Sequence, residues 1–297
     1  MLEIIRMYFF KLADSNILPN YFKYSFVVNA LISSILIGPL LGGLGTMVVI
    51  KKMAFFSEAI GHAALTGIAL AVLLGESYES PYILLYTYCL MFAILINFTR
   101  NRTKMGQDTL IGIFLSISIA LGGTLIILVS DKVNAHILES VLFGSILTVS
   151  DKDIYILLIS TILILLVVLY KYNHMLLSSF NKSISQIKGV NTVLIEYLFI
   201  ILITIVTVSS IKIIGAALVE ALFLIPAASS KNISNSLKSF VYYSIFFALL
   251  SCIIGILLPL YLDLNIPSGG SIILVSSVIF ILTVIIKSIN IRIKKEN

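Results

Sequence analysis

Glu58 and His62 stand four residues apart inside Met53 to Gly75, an apolar run long enough to cross a bilayer. On a helix that spacing puts both side chains on one face, with Cβ atoms about 5–6 Å apart. A carboxylate and a neutral imidazole so placed can share one divalent transition-metal ion, at about 2.0–2.2 Å for zinc. They can equally hold helices together through a buried hydrogen bond, or relay a proton. Ionisable groups in hydrocarbon cost about 2.5–3.5 kcal/mol each, so they usually face a protein interior or a hydrated path. Two ligands make an incomplete site. That suits a carrier, which must hold its ion and then release it, and twofold pairing of two copies brings the count to four. A second intramembrane carboxylate, Glu220, falls in the run Gly215 to Ala228 with Pro226 one turn beyond it. A helix-breaking proline there points to a kinked pathway helix, with a neighbour-satisfied packing carboxylate as the alternative.

The elements that must position these groups follow from composition. Apolar residues make up 59% of the 297 positions and charged residues 11%, and the mean hydropathy is +1.10. These values exclude a soluble globular domain. The fold class is all-α, a polytopic helical membrane protein. Spans of about 20 residues are expected near 24–50, 54–75, 82–98, 108–130, 151–172, 191–210, 212–229, 240–262 and 270–288, eight or nine in all. They leave room for one transmembrane domain, residues 24–288, with an N-terminal arm, 1–23, and a basic cytoplasmic tail, 289–297. The arm carries Glu3, Arg6, Lys11 and Asp14 and does not read as a cleaved signal peptide. In the first span Gly38, Gly42, Gly43 and Gly45 predict close helix packing.

Charge assigns the sides. Lys51-Lys52, Arg100 to Lys104, Lys171 to Lys188, Lys231 and Lys238, and Arg292 to Lys295 fall on alternating connections and read as cytoplasmic. Glu76, Glu79, Asp131 to Glu139 and Asp263 fall on the opposite ones. Nine spans then put the N-terminus outside, and an even number puts it inside. The net charge of +6 is thereby explained by topology rather than by nucleic acid. Cys89 and Cys252 lie in apolar spans without metal or redox spacing. No phosphate-binding loop, HExxH motif or dinucleotide turn occurs, so neither ATP hydrolysis nor proteolysis belongs to this chain. His136, near Glu139, and His174 read as solvated connection residues, His136 with an ion entrance as the alternative.

The run Lys51 to Ala69 resembles the signature of the permease subunits of ABC transporters that import zinc, manganese or iron. There a basic pair precedes a span reading Ser-Asp-x-x-Ser-His-small-x-x-x-Gly-Ile-Ala. Gln107 to Ile113, Leu142 to Leu147 and Lys212 to Ala228 are similar to three further motifs of that family, in the same order. The resemblance covers residues 24 to 288. It implies a transmembrane permease of an ATP-driven importer, with Glu58 and His62 at the two positions that contact the transported metal. It further implies a second permease copy, two cytoplasmic ABC ATPase subunits and an extracytoplasmic metal-binding protein. No permanently bound cofactor is implied, only the transported zinc, manganese or iron. Three departures stand out: Glu58 for Asp, Gly61 for Ser, and Glu220 where a small or apolar residue is common.

In that family a short cytoplasmic helix contacts the ATPase. The matching segment is 176–190, where Leu177, Phe180, Ile184 and Ile187 make an apolar stripe and Lys182, Ser183, Ser185 and Gln186 face outward. A helix lying on lipid headgroups is the alternative. The other function class left open is a stand-alone proton-coupled secondary metal transporter using Glu58 and Glu220. Richness in Ile, Lys and Asn suggests an AT-rich bacterium, and hence a bacterial cytoplasmic membrane.

Overall fold

Backbone polar groups in hydrocarbon must be satisfied within the chain, so each apolar run closes as an α-helix. The computed structural model describes residues 2–76, 81–103, 105–129, 149–262, 264 and 268–296, without the side chains of residues 212 and 290–296. The helices are α1 Leu2–Asp14, α2 Ser25–Lys51, α3 Phe56–Leu73, α4 Tyr82–Arg102, α5 Gln107–Val129, α6 Asp151–Phe180, α7 Lys182–Ile187, α8 Thr192–Ile214, α9 Ala216–Ile233, α10 Leu237–Tyr261 and α11 Ser268–Glu296. Among the described residues, nine of these are long and apolar enough to cross a membrane: α2 to α6 and α8 to α11. Glu79, Lys104, Asp263 and the segment 130–148, with His136, Glu139 and the Leu142 to Leu147 motif, lie outside the described residues.

Three boundaries differ from the sequence reading. The helix α6 does not stop near 172 but runs on to Phe180, because a polar helix can continue in water once caps are supplied. Ser150 and Asp153 form a capping box at its start, and the Asn181 side chain accepts from Ile184 N at 3.1 Å to start α7. The segment 176–190 is therefore divided at Asn181. Its apolar residues Phe180, Ile184 and Ile187 are exposed, whereas Ser185 is buried rather than outward-facing. His174 sits exposed on α6, not in a loop. The helix α9 continues through Pro226. The real break is Gly215, with φ 83° and ψ 157°, a conformation open essentially to glycine alone. One residue thus separates α8 from α9.

The core sits where α2, α3, α8 and α9 converge; α2, α3 and α8 are the most enclosed spans, while α5 and α11 are the most open. Of the four glycines in α2, two are demanded by packing. A Cβ on Gly45 would lie 2.2 Å from the Phe223 carbonyl oxygen, and one on Gly42 would lie 2.8 Å from Ala248 Cβ and from Ser244 O. Ser244 Oγ donates to Gly42 O at 2.6 Å across the same contact. Cys89 and Cys252 are buried free thiols.

The ion pairs that join helices lie at the two ends of the bundle. At one end Arg6 on α1 donates to Asn29 Oδ1 at 2.9 Å and pairs with Asp151; nearby, Tyr82 donates to Asp153 at 2.5 Å. At the other, Glu196 on α8 pairs with Arg100 of α4 and Lys182 of α7. The N-terminal arm therefore lies at the end opposite Lys51. Its exposed Ile4, Met7 and Tyr8 suit a membrane–water interface.

Candidate functional site

The helix α3 is held on three sides. Gly67 meets Leu85 of α4, where an added Cβ would be 3.2 Å from its Cα. Ser118 of α5 donates to Ala59 O at 3.4 Å and accepts from Thr66 Oγ1 at 3.5 Å. On the third side Gly61 abuts Ala216 of α9, and a Cβ there would lie 2.9 Å from the Ala216 methyl. That contact explains why glycine stands where the family pattern has Ser: a side chain would push α9 away.

These clamps leave one stripe open. From Phe56 to Gly67 every residue of α3 is buried except Glu58 and His62, which are partly exposed. At about 100° per residue, the α5-facing residues Ala59 and Thr66 lie to one side of this pair, Gly61 to the other, and Gly67 behind it. Glu58 and His62 therefore open into the wedge between α5 and α9. Their depth follows from α4: the stretch from Leu85 to Arg100 rises about 22 Å, and His62 lies about 7.5 Å below Gly67. His62 is thus near the middle of a hydrocarbon core of about 30 Å.

The remaining carboxylate comes from α9. With seven spans up to and including α9, this helix runs antiparallel to α3. Glu220, one turn beyond Ala216, then falls at the level of Glu58, and the two carboxylates lie within electrostatic range of one another. Glu220 belongs to an open stripe of α9 with Ala217, Leu224 and Ala228, while Leu218, Val219, Leu222 and Phe223 pack inward. All three sequence-derived candidates thus border one opening. Among the described residues, however, no group of three or more His, Cys, Asp or Glu is close enough to hold a metal ion. Within this protomer the geometry offers a Glu-His pair with a neighbouring carboxylate.

Glu196 escaped the sequence reading. It is 2% exposed and is held by cations on two other helices. The signal was available: an acidic residue in the first turns of an otherwise apolar span calls for a cationic partner.

Comparison with known proteins agrees with this architecture. The ABC 3 transport family matches residues 23–287. The manganese transport system membrane protein MntC of Listeria monocytogenes is 32% identical over 258 residues, 87% of this chain and 89% of that protein. The manganese import system permease protein ScaB of Streptococcus gordonii is 33% identical over 260 residues, 88% and 91% of the two chains. The high-affinity zinc uptake system membrane protein ZnuB of Buchnera aphidicola is 31% identical over 252 residues, 85% and 94%. Among solved structures, PsaBC from Streptococcus pneumoniae in complex with Fab superposes with a TM-score of 0.75 at 31% identity, covering 88% of this chain and 91% of that one. A second, an inward-facing putative metal-chelate type ABC transporter, shares the fold at 17% identity and a TM-score of 0.67. With nine apolar helices long enough to cross a membrane among the described residues and a family match over nearly the whole chain, this multi-pass membrane protein belongs to the ABC 3 transport family.

Proposed function

We propose that Glu58 and His62 are the groups at which a divalent transition-metal ion, manganese or zinc, pauses on its way through this permease of an ATP-driven importer. The observation that carries the reading is the single open stripe of α3, where the two groups able to bind such an ion are the only ones left uncovered between Phe56 and Gly67. Imidazole with carboxylate serves either metal, and the named relatives include both kinds. An incomplete pair at the membrane midplane favours passage over storage. Across the wedge, Glu220 supplies negative charge that attracts the cation, with direct ligation as its stronger form. A second copy of the chain, set against the open stripes of α3 and α9 about a twofold axis, completes the coordination.

The energy comes from partner ATPases docking on the exposed Phe180, Ile184 and Ile187 of the segment 176–190, and an extracytoplasmic binding protein delivers the ion. The stand-alone proton-coupled alternative is not favoured, since the chain's relatives are permeases of ABC importers. The location is the cytoplasmic membrane of a bacterium. Uptake of radiolabelled manganese and zinc into proteoliposomes holding the assembled complex tests the assignment. Glu58→Gln and His62→Ala are expected to abolish ATP-dependent uptake while assembly persists. Wild-type uptake in both variants would falsify the site.

A further inference from the structure

The basic pair ahead of α3 has a structural role that ion passage does not explain. At the cytoplasmic ends of α2, α4, α5, α6 and α8 lies a cavity of about 490 Å³, walled by Lys51, Lys52, Arg100, Gln107, Lys182 and Glu196. Four cations face one carboxylate there. Glu196 is already engaged by Arg100 and Lys182. Lys51 lies over the Phe199 ring, 5.2 Å from its centroid, within electrostatic range of Arg100 and Lys182 as well as Glu196. The Gln107 amide, in the orientation that satisfies both neighbours, donates to Lys51 O at 3.2 Å and accepts from Arg100 at 3.3 Å, so it adds no negative charge.

Ordinary helix electrostatics cover part of this arrangement. Lys51 and Arg100 complement the C-terminal ends of α2 and α4. Lys182, at the start of α7, stands at the wrong end of its helix for that benefit. Lys52 has φ 55° and ψ 50°, a left-handed conformation that costs a non-glycine residue about 1–2 kcal/mol. Glycine is the usual residue at such a helix end. A lysine there adds a further cation at the mouth of a cavity that already holds excess positive charge.

We propose that this cavity is an oxyanion site that takes the phosphate of an anionic phospholipid headgroup from the cytoplasmic leaflet. Two features favour a lipid over a free ion. The cavity sits at the cytoplasmic ends of five membrane-spanning helices, the side on which basic clusters attract anionic lipids. Its wall also includes Met105, 43% exposed, apolar surface suited to a glycerol backbone and acyl chain. Lys51, Lys52 and Arg100 hold the phosphate, while Glu196 orients Arg100 and Lys182. A bound headgroup would tie α2 and α4 to the start of α7. This site stands independently of the assignment of Glu58 and His62.

The test is lipid retention by the purified permease–ATPase complex, read by native mass spectrometry after exchange into phosphatidylglycerol or phosphatidylcholine. The wild type is expected to retain phosphatidylglycerol about tenfold better. Lys52→Gly, which suits the left-handed backbone while removing the charge, should cut that preference roughly fivefold, as should Lys51→Gln. Lys231→Gln, on the same membrane side but away from the cavity, should leave it unchanged. Equal retention of both lipids, or an undiminished preference in both Lys51 and Lys52 variants, overturns the proposal. Displacement of the lipid by millimolar inorganic phosphate overturns the lipid source in favour of a free oxyanion. A preference seen in the isolated permease but lost on assembly with the ATPase overturns it in favour of an acidic side chain of the partner.

Discussion

Gly61→Ala tests whether the contact between α3 and α9 sets the shape of the candidate site. The new methyl would start 2.9 Å from Ala216 Cβ, whereas carbon atoms in contact prefer about 3.5–4.0 Å. The helices must therefore part by about 0.6–1.1 Å, and overpacking of this kind costs about 1–3 kcal/mol. Replacing glycine by alanine inside a helix returns about 1 kcal/mol, so the expected net loss is about 0–2 kcal/mol. Because Glu220 lies one turn from Ala216, the same displacement widens the gap between Glu58 and Glu220. Uptake should fall further than stability alone accounts for. The partner change Ala216→Gly removes the opposing methyl, and the double variant should recover both properties. Thermal midpoints in detergent and initial uptake rates for the four proteins form a double-mutant cycle with an expected coupling of about 1–3 kcal/mol, the overpacking strain. Additivity within about 0.5 kcal/mol would refute the contact, and with it the account of why glycine replaces serine here.

Three other outcomes are expected. Glu196→Gln leaves Arg100 and Lys182 without their buried counter-charge, which should cost about 3–5 kcal/mol, seen as a lower midpoint and faster proteolysis around α7; an unchanged midpoint would mean the pair is solvated. Gly215→Ala forces a side chain into a φ of 83° and should destabilise by about 1–3 kcal/mol, whereas Pro226→Ala should be mild because α9 already runs through that position. Ser244→Ala removes the hydrogen bond to Gly42 O; for such interhelical bonds about 0.6 kcal/mol is typical in membranes, so thermal denaturation should shift only slightly.

The spans were legible because hydrocarbon imposes one rule on every segment: satisfy the backbone locally and show apolar side chains. Where that rule stops, so did the reading. The helix α6 passes from apolar Leu169 to polar Ser179 without interruption, because outside the bilayer its continuation depends on the Asn181 boundary rather than on hydropathy. Pro226 predicts a kinked pathway helix, yet a proline within a membrane helix is tolerated when neighbours re-satisfy the freed carbonyl, and α9 runs on through it. Gly215 looked unremarkable beside it. Its role is set by a backbone angle, which residue type permits but does not announce.

The same distinction separates the parts of the site. Glu58 and His62 could be found from sequence because an ionisable group in an apolar run is costly wherever it points. Glu220 obeys the same logic, but its partnership with Glu58 rests on the Gly61–Ala216 contact, which couples helices far apart in the chain. That contact has a mechanical consequence. The helix α3 is fastened by hydrogen bonds to α5 and by close packing to α4, whereas α9 is packed against α2 through Phe223 and Gly45 and bonded to α10 through Ser230 and Phe240. A shift of α9 together with α2 and α10 would move Glu220 relative to the Glu58–His62 pair. A cation paused there, as the proposed function has it, would then meet a changed field, which is the kind of differential affinity that a switch between two access states requires.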